Sequence, residues 1–108
     1  MFNDLNILLK TIKKNKYKNF KTSYTAALFK KGQKACIKKF REESLEFINS
    51  SKRNNKQNII HEAADVLYHF LVLLEFKKIK IFKIMKEIRR RRKVSGIQEK
   101  KNRKKNVR

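Results

Sequence analysis

Five of the nine acidic residues in this 108-residue chain lie close together, between positions 42 and 65. They are Glu42, Glu43, Glu46, Glu62 and Asp65. The first three form the pattern E-E-x-x-E and the last two form E-x-x-D. Residues three apart lie on one side of a helix, so each motif presents two carboxylates on one face. Acids that only keep a basic chain soluble would be scattered along it.

The direction of each carboxylate follows from a rotation of about 100° per residue along a helix. On the first helix Glu43 borders the apolar stripe, with Glu46 next to it and Glu42 farther out. On the second helix Glu62 borders the apolar arc, and Asp65 lies beyond it on the same rotational side. A short connection makes the two helices antiparallel neighbours. The carboxylates are therefore expected to face one groove.

Carboxylates that converge at the edge of an apolar core repel one another unless a cation lies among them. Ligation by Asp and Glu oxygens favours Mg²⁺ or Mn²⁺ over zinc. Such an ion can bridge phosphate oxygens, neutralise their charge and position a water for attack at phosphorus. The groove therefore predicts a substrate with a diphosphate. The alternative for a single motif is a solvated helix face with ion pairs such as Lys39 to Glu43.

The chain that must position these acids is predicted to be all-helical, because Pro is absent and only two Gly interrupt long periodic stretches. Apolar periodicity predicts helices over residues 3–14, about 22–31, about 33–50, about 56–76 and 79–92. Thr22, Ser23 and Thr25 offer N-cap oxygens to the second helix, and Gly32 can adopt the left-handed conformation that ends it. The fourth helix has a wide apolar arc that is expected to be largely buried, and the last is expected to pack on the others.

Composition predicts one domain over residues 1–92 and a basic tail over residues 93–108, which we expect to be disordered. A domain this small buries only about two-thirds of its unfolded surface, so a partner subunit would help it. The net charge of +22 suggests nucleic acid as a partner. Part of the basic excess lies in the tail, and contact with nucleic acid is expected only there.

Targeting and redox features point to the cytoplasm. No apolar run approaches the roughly 18 residues that a membrane span requires, and the N-terminus has no small-residue cleavage site. The single cysteine, Cys36, cannot form an internal disulfide, and no Cys/His cluster suggests zinc. Because Cys36 lies within an apolar stripe, we expect a small buried hydrophobic residue rather than a nucleophile.

Three segments, SYTAALFKKG at 23–32, KKFREESLE at 38–46 and HEAADVLYHFLVLL at 61–74, resemble the phosphoribosyl-ATP pyrophosphohydrolase family in order and spacing. The resemblance spans roughly residues 5–92. The carboxylates alone are shared with the wider all-alpha nucleoside triphosphate pyrophosphohydrolase superfamily, whereas the S-Y-T-A-x-L and E-A-A-D-x-L-Y-H motifs are more specific. The resemblance implies a small helical bundle completed by homodimerisation. It also implies Mg²⁺-dependent hydrolysis of phosphoribosyl-ATP to phosphoribosyl-AMP and pyrophosphate in histidine biosynthesis.

The resemblance also implies roles for particular residues. The metal ligands carried over by position are Glu43, Glu46, Glu62 and Asp65. Glu42 and Glu43 are assigned to catalysis, with Glu42 orienting the water or a second metal. The residues expected to bind substrate are Lys31 and Lys39, which match basic positions, and Ser23, Tyr24 and Thr25, which match the opening motif.

Two positions depart from the family pattern and affect the expected phosphate contacts. Arg41 stands where a small residue usually precedes the paired glutamates, and Ala35 stands where a basic residue is common. His69 is expected either to hydrogen-bond a ligand carboxylate or to be a satisfied histidine at the core edge. His61 is expected to face solvent without a role.

Two other functions remain open at this point. One is a related pyrophosphohydrolase that acts on other nucleoside triphosphates, which would lack the S-Y-T-A opening. The other is a non-enzymatic, basic, nucleic-acid-binding protein with its acids in salt bridges. That protein would bind any nucleic acid with a steep dependence on salt.

Overall fold

A computed structural model describes residues 2–93 together with residues 100, 101 and 103. Its helices are α1 (Phe2–Asn15), α2 (Tyr24–Lys31), α3 (Gln33–Ser51), α4 (Lys56–Phe76) and α5 (Ile81–Arg91). No strand occurs among the described residues, which confirms the all-helical prediction. Most of the predicted basic tail, 93–108, lies outside the described residues.

The junction between α2 and α3 forms as the sequence predicts. Ser23 precedes α2 in an extended conformation, and its hydroxyl accepts a hydrogen bond from the backbone N–H of Ala26 at 3.2 Å. This bond satisfies one of the free N–H groups at the helix start. Gly32 ends α2 at φ 95°, in a region that a side chain would make strained. Its conformation lets α3 begin at the next residue.

Helices α3 and α4 form an antiparallel pair, which two hydrogen bonds at opposite ends demonstrate. Asn58, near the start of α4, donates to the Ser50 hydroxyl near the end of α3 at 3.0 Å. Lys77, after the end of α4, donates to the side chain of Gln33 at the start of α3 at 2.9 Å. The short 52–55 connection requires this arrangement. The face of α3 that bears carboxylates therefore lies beside that of α4.

Helices α1 and α2 cover one side of this pair and close the core. The central buried residues are Ile12, Leu28, Cys36, Leu71 and Val72. Cys36 is buried as expected, and its thiol donates to the carbonyl of Leu28 at 3.7 Å. Burial raises the pKa of this thiol, which keeps it protonated and unreactive.

The prediction that the apolar arc of α4 is largely buried is wrong for two of its members. Ile60 is 60% exposed and Leu67 is 45% exposed. These residues lie on the side of α4 that α1, α2 and α3 leave uncovered. An arc this wide needs neighbours on several sides, which one small chain does not supply.

The last helix packs less tightly than predicted. No residue of α5 is buried, and about half of the Phe82, Met85 and Ile88 surfaces is exposed. A largely apolar cavity of about 300 Å³ lies beside the start of α5. Its lining includes Leu9 of α1, Leu71 of α4 and Ile81 of α5. None of the described helices combines the length and hydropathy that crossing a bilayer requires.

Candidate active site

Helices α3 and α4 bring three of the predicted metal ligands together. Oxygen atoms of Glu43, Glu46 and Glu62 all lie within 4.8 Å of one another. Glu43 and Glu46 are one helical turn apart on α3, and the antiparallel packing places Glu62 opposite them. This arrangement is the groove that the two acidic motifs predict.

The fourth predicted ligand, Asp65, lies in a neighbouring group. Ligand atoms of Asp65, Glu62 and His61 also lie within 4.8 Å of one another. The four predicted acids therefore form two overlapping groups that share Glu62. Asp65 is one helical turn farther along α4 than Glu62, next to His61 rather than to the acids of α3.

Two oxygen atoms in the first group are buried without a hydrogen-bond partner. They are Oε2 of Glu43 and Oε2 of Glu62. Burial raises the pKa of Glu62, and the charges of Glu46 and Asp65 raise it further. Buried carboxylate oxygens without donors are costly unless a cation satisfies them. These residues therefore fit a hard divalent cation with oxygen ligands.

Lys39 places a positive charge at the edge of the carboxylate groups. Its ammonium nitrogen lies 3.4 Å from Oε2 of Glu42 and 3.6 Å from Oε1 of Glu43. Desolvation lowers its pKa, but Tyr24, Glu42 and Glu43 outweigh that effect and raise it. Lys39 is therefore firmly protonated. The Lys39–Glu43 pair anticipated for a solvated helix face does form, yet it leaves the second oxygen of Glu43 unsatisfied.

The predicted substrate-binding residue Tyr24 is linked to α4 through a histidine. Its hydroxyl lies 3.0 Å from Nε2 of His69, and Nδ1 of His69 lies 2.9 Å from the backbone carbonyl of Asp65. Burial raises the pKa of the Tyr24 hydroxyl, although the nearby Lys39 ammonium opposes this. A protonated phenol and a protonated lysine thus lie next to the acids.

The other residues of the opening motif have structural contacts. The Ser23 hydroxyl donates to the carbonyl of Asn15 at 3.1 Å, in addition to capping α2. Thr25 is buried, and its hydroxyl is hydrogen-bonded to the Tyr68 hydroxyl. Lys31 is exposed in the last turn of α2, seven residues after Tyr24 and so on the same face.

The contacts of His69 match one of the two environments predicted for it, whereas His61 makes a contact that was not predicted. His69 bonds to a backbone carbonyl and a phenol rather than to a carboxylate, which is the second of the two predicted environments. His61 faces solvent as expected, but its Nε2 lies 3.6 Å from Oδ2 of Asp65. The i,i+4 spacing of His61 and Asp65 is a signal that could have identified this contact.

The two departures from the family pattern both lie on α3. Arg41 is exposed and, within the described part of the chain, makes no ion pair with the carboxylates. Ala35 lies in the first turn of the helix, before Lys39 and the acids.

Comparison with known proteins identifies the family of the chain. The sequence model described as "Phosphoribosyl-ATP pyrophosphohydrolase" matches residues 5–92. The chain is 40% identical to the phosphoribosyl-ATP pyrophosphatase of Rhodobacter capsulatus over 96 residues, which cover 89% of this chain and 93% of that protein. It is 47% identical to the phosphoribosyl-ATP pyrophosphatase of Vesicomyosocius okutanii over 81 residues, or 75% and 77% of the two chains.

A third relative contains the matching region as part of a longer chain. The chain is 46% identical to the histidine biosynthesis bifunctional protein HisIE of Pyrococcus furiosus over 82 residues, which cover 76% of this chain and 38% of that protein. The family match and the two relatives named phosphoribosyl-ATP pyrophosphatase point to the same family. The acids clustered on α3 and α4 are consistent with it. The chain belongs to the phosphoribosyl-ATP pyrophosphohydrolase family.

Proposed function

We propose that this protein hydrolyses phosphoribosyl-ATP to phosphoribosyl-AMP and pyrophosphate, the second step of histidine biosynthesis. The family match over residues 5–92 supports this function, as do relatives that bear the name of the enzyme. The observation that carries the proposal is the cluster of Glu43, Glu46 and Glu62, with two buried oxygens that lack partners. Residues 1–92 would be the catalytic domain, with 93–108 as an appended basic tail.

Glu43, Glu46 and Glu62 would hold a Mg²⁺ ion, or Mn²⁺ in its place, and Asp65 would complete the ligand set beside Glu62. When bound, the ion supplies charge neutralisation at the phosphate oxygens and lowers the pKa of a bound water. The all-oxygen donor set supports this choice of metal.

We propose that Glu42 and Glu43 act together on the attacking water. Glu42 would orient the water, and one of the two carboxylates would accept its proton. The Glu42 side chain is 43% exposed, so it reaches the solvent from which the water comes. Hydrolysis joins the water oxygen to phosphorus and breaks the bond between the alpha and beta phosphates. The proton released from water passes to a carboxylate, which returns it to solvent.

Lys39 and Lys31 would bind the phosphate groups, with Tyr24 beside them. Lys39 is positioned for this role by its two carboxylate neighbours and remains charged because its pKa is raised. Lys31 and Tyr24 lie on one face of α2, at its two ends. Ser23 and Thr25 would contribute by holding that helix in place, as their hydrogen bonds indicate.

We also propose that the protein is a homodimer in the cytoplasm. The exposed apolar residues of α4 and α5 support the dimer, because a second copy of the chain would remove them from water. Nucleic acid would contact only the basic tail. Sedimentation equilibrium tests the dimer, and a Leu67→Lys substitution in the exposed α4 face is expected to shift the protein toward monomer.

The test of the function is pyrophosphate release from phosphoribosyl-ATP with and without Mg²⁺. The wild type is compared with Glu62→Gln and with a control, Glu87→Gln, which makes the same change on α5 away from the cluster. Mg²⁺-dependent release by the wild type and the control, with loss in Glu62→Gln, is the expected result. Release from other nucleoside triphosphates but not from phosphoribosyl-ATP would indicate the related pyrophosphohydrolase instead.

A further inference from the structure

We propose that His61 is a metal ligand, and that its imidazole nitrogen adapts one end of the carboxylate groove to a first-row transition-metal ion rather than to Mg²⁺. The ion would be held by His61 together with Glu62 and Asp65, whose ligand atoms all lie within 4.8 Å of one another. This inference rests on the proposed function, because Glu62 and Asp65 belong to the metal site proposed there. It adds a nitrogen ligand to a site otherwise built of carboxylate oxygens.

The spacing of these three residues suits a chelate. They form the pattern H-E-x-x-D well inside α4. Residues four apart lie on one face of a helix, which is the spacing at which the two histidines of an H-E-x-x-H motif bind one zinc ion. Here Asp65 stands in place of the second histidine. The backbone of α4 therefore presents a nitrogen ligand and an oxygen ligand from the same face.

The contact between His61 and Asp65 leaves both side chains able to bind an ion. Nε2 of His61 lies 3.6 Å from Oδ2 of Asp65, which exceeds the usual length of a hydrogen bond. The two side chains are 72% and 41% exposed, so an ion pair between them contributes little stability. Ligands about 2.1 Å from one ion are at most about 4.2 Å apart, so small rotations of exposed side chains would bring the three ligand atoms onto one ion.

Glu62 supplies a separate indication of a cation. Its Oε2 atom is buried and has no hydrogen-bond partner among the described residues. A buried carboxylate oxygen without a donor is costly unless a cation satisfies it. Glu62 also belongs to the group formed with Glu43 and Glu46, so it links that group to His61. His61 therefore lies beside a carboxylate that a cation would stabilise.

The chemistry of the added ligand determines which ions it favours. Mg²⁺ binds oxygen ligands and keeps several of its waters, whereas imidazole nitrogen is a ligand of Zn²⁺, Fe²⁺ and Ni²⁺. Loss of the His61 imidazole should therefore weaken the binding of Zn²⁺ much more than the binding of Mg²⁺.

The chain contains one other histidine, His69, and its ring is engaged elsewhere. Its Nε2 lies 3.0 Å from the Tyr24 hydroxyl, and its Nδ1 lies 2.9 Å from the backbone carbonyl of Asp65. His69 is also buried, at 6% exposure. His69 therefore serves as an internal reference for a histidine that does not bind the ion.

The first test measures the affinities for Zn²⁺ and for Mg²⁺ by titration calorimetry, without substrate, on the full chain freed of any histidine tag. We expect His61→Gln to raise the Kd for Zn²⁺ about tenfold and the Kd for Mg²⁺ by less than about twofold. The matched control is Gln57→Ala, which changes an exposed residue one helical turn before His61. It should leave both Kd values unchanged.

The second test identifies the ligand by long-range proton–nitrogen NMR at constant pH. One equivalent of Zn²⁺ should shift a ring nitrogen of His61 far more than either ring nitrogen of His69. The His61 signals are assigned by their absence in His61→Gln. Asp65→Asn should also weaken Zn²⁺ binding, because a chelate needs both residues.

Three results would each overturn the proposal. They are a His61 signal that Zn²⁺ does not shift, equal losses of Zn²⁺ and Mg²⁺ affinity in His61→Gln, and Zn²⁺ binding that Asp65→Asn leaves unchanged. The last would show that a lone surface histidine binds the ion. Because no substrate is present, these measurements do not depend on catalysis. Wild-type protein that binds both ions but releases no pyrophosphate would contradict the proposed function and leave His61 as a metal ligand.

Discussion

Glu43 of α3 and Glu62 of α4 face each other with carboxylate oxygens within 4.8 Å, and each has its Oε2 atom buried without a hydrogen-bond partner. At an effective dielectric constant of about 20, two unit charges at this distance repel by about 3.5 kcal/mol. Helix packing thus holds together two groups that repel each other. A divalent cation would convert the repulsion into attraction, which links metal binding to stability and to activity.

Mg²⁺ is therefore expected to stabilise the folded protein. At a concentration of one hundred times its Kd, a ligand that binds only the folded state adds about 2.7 kcal/mol, or roughly 10 °C in the Tm of a domain this small. Glu43→Gln should abolish this increase, whereas the control Glu87→Gln should retain it. Differential scanning calorimetry with and without Mg²⁺ measures the effect. Equal increases in all three proteins would argue against the site.

Replacing Lys39 should weaken substrate binding without weakening metal binding. Lys39→Gln removes a charge-assisted hydrogen bond of about 1.5–3 kcal/mol, so KM should rise by about ten- to a hundredfold. It also removes a positive charge next to Glu43, so Mg²⁺ affinity should be unchanged or higher. Lys38→Gln makes the same change on the exposed neighbour and should leave both values unaltered. Loss of Mg²⁺ binding in Lys39→Gln would contradict this assignment.

The carboxyl group of Glu87 should titrate at unusually low pH. Hydrogen bonds from Arg90 and Arg91 lower its pKa to about 2. Because the folded pKa is depressed, the stabilisation of α5 is present above the ordinary pKa of 4.5 and is lost as pH falls toward 2. A carbon-detected NMR titration of the Glu87 carboxyl measures this directly. High salt should move the midpoint upward, since the group is at the surface. A midpoint near 4.5 at low salt would contradict the pairing.

The end of α4 offers a stabilising substitution. Lys78 has φ 59°, and the next residue, Ile79, donates a hydrogen bond to the Leu74 carbonyl at 2.9 Å. This is the helix end at which glycine is usually found, because the left-handed conformation is unfavourable for a residue with a β-carbon. Lys78→Gly should raise the free energy of unfolding by about 0.5–1 kcal/mol in urea denaturation. Lys78→Ala, which keeps the strain, should give no gain.

The ion pair of Lys16 and Glu75 should couple α1 to α4. Nζ of Lys16 lies 2.5 Å from Oε2 of Glu75. The Lys16 side chain is 14% exposed and the Glu75 side chain is 25% exposed. A double-mutant cycle with Lys16→Met and Glu75→Gln should give a coupling of about 1 kcal/mol. The bond to Glu75 raises the pKa of Lys16. The stabilisation of the folded state by the charged Lys16 is therefore complete below pH 10.5, its ordinary pKa. It is lost as pH rises through the higher pKa of the folded protein. No coupling at pH 7 would show that the pair is not energetically significant.

The sequence by itself determined the features that depend on neighbours within a few residues. Helix periodicity placed α4 over Lys56–Phe76, as the structure has it, and Ser23 and Gly32 marked the ends of α2. The same periodicity showed that the two acidic motifs lie on helix faces next to the core. These features follow from local backbone geometry and capping, which are set by spacing along the chain.

Only the tertiary structure decided which carboxylates meet and what surrounds them. It separated Asp65 from Glu43, and it joined Tyr24 to His69, residues 45 positions apart. It also left Ile60 exposed, although its spacing alone would place it with the buried arc of α4. The physical reason is that these outcomes depend on how far each helix extends past its neighbour and which sides of it are covered. Those distances arise from packing the whole core and are not encoded in the periodicity of any one helix.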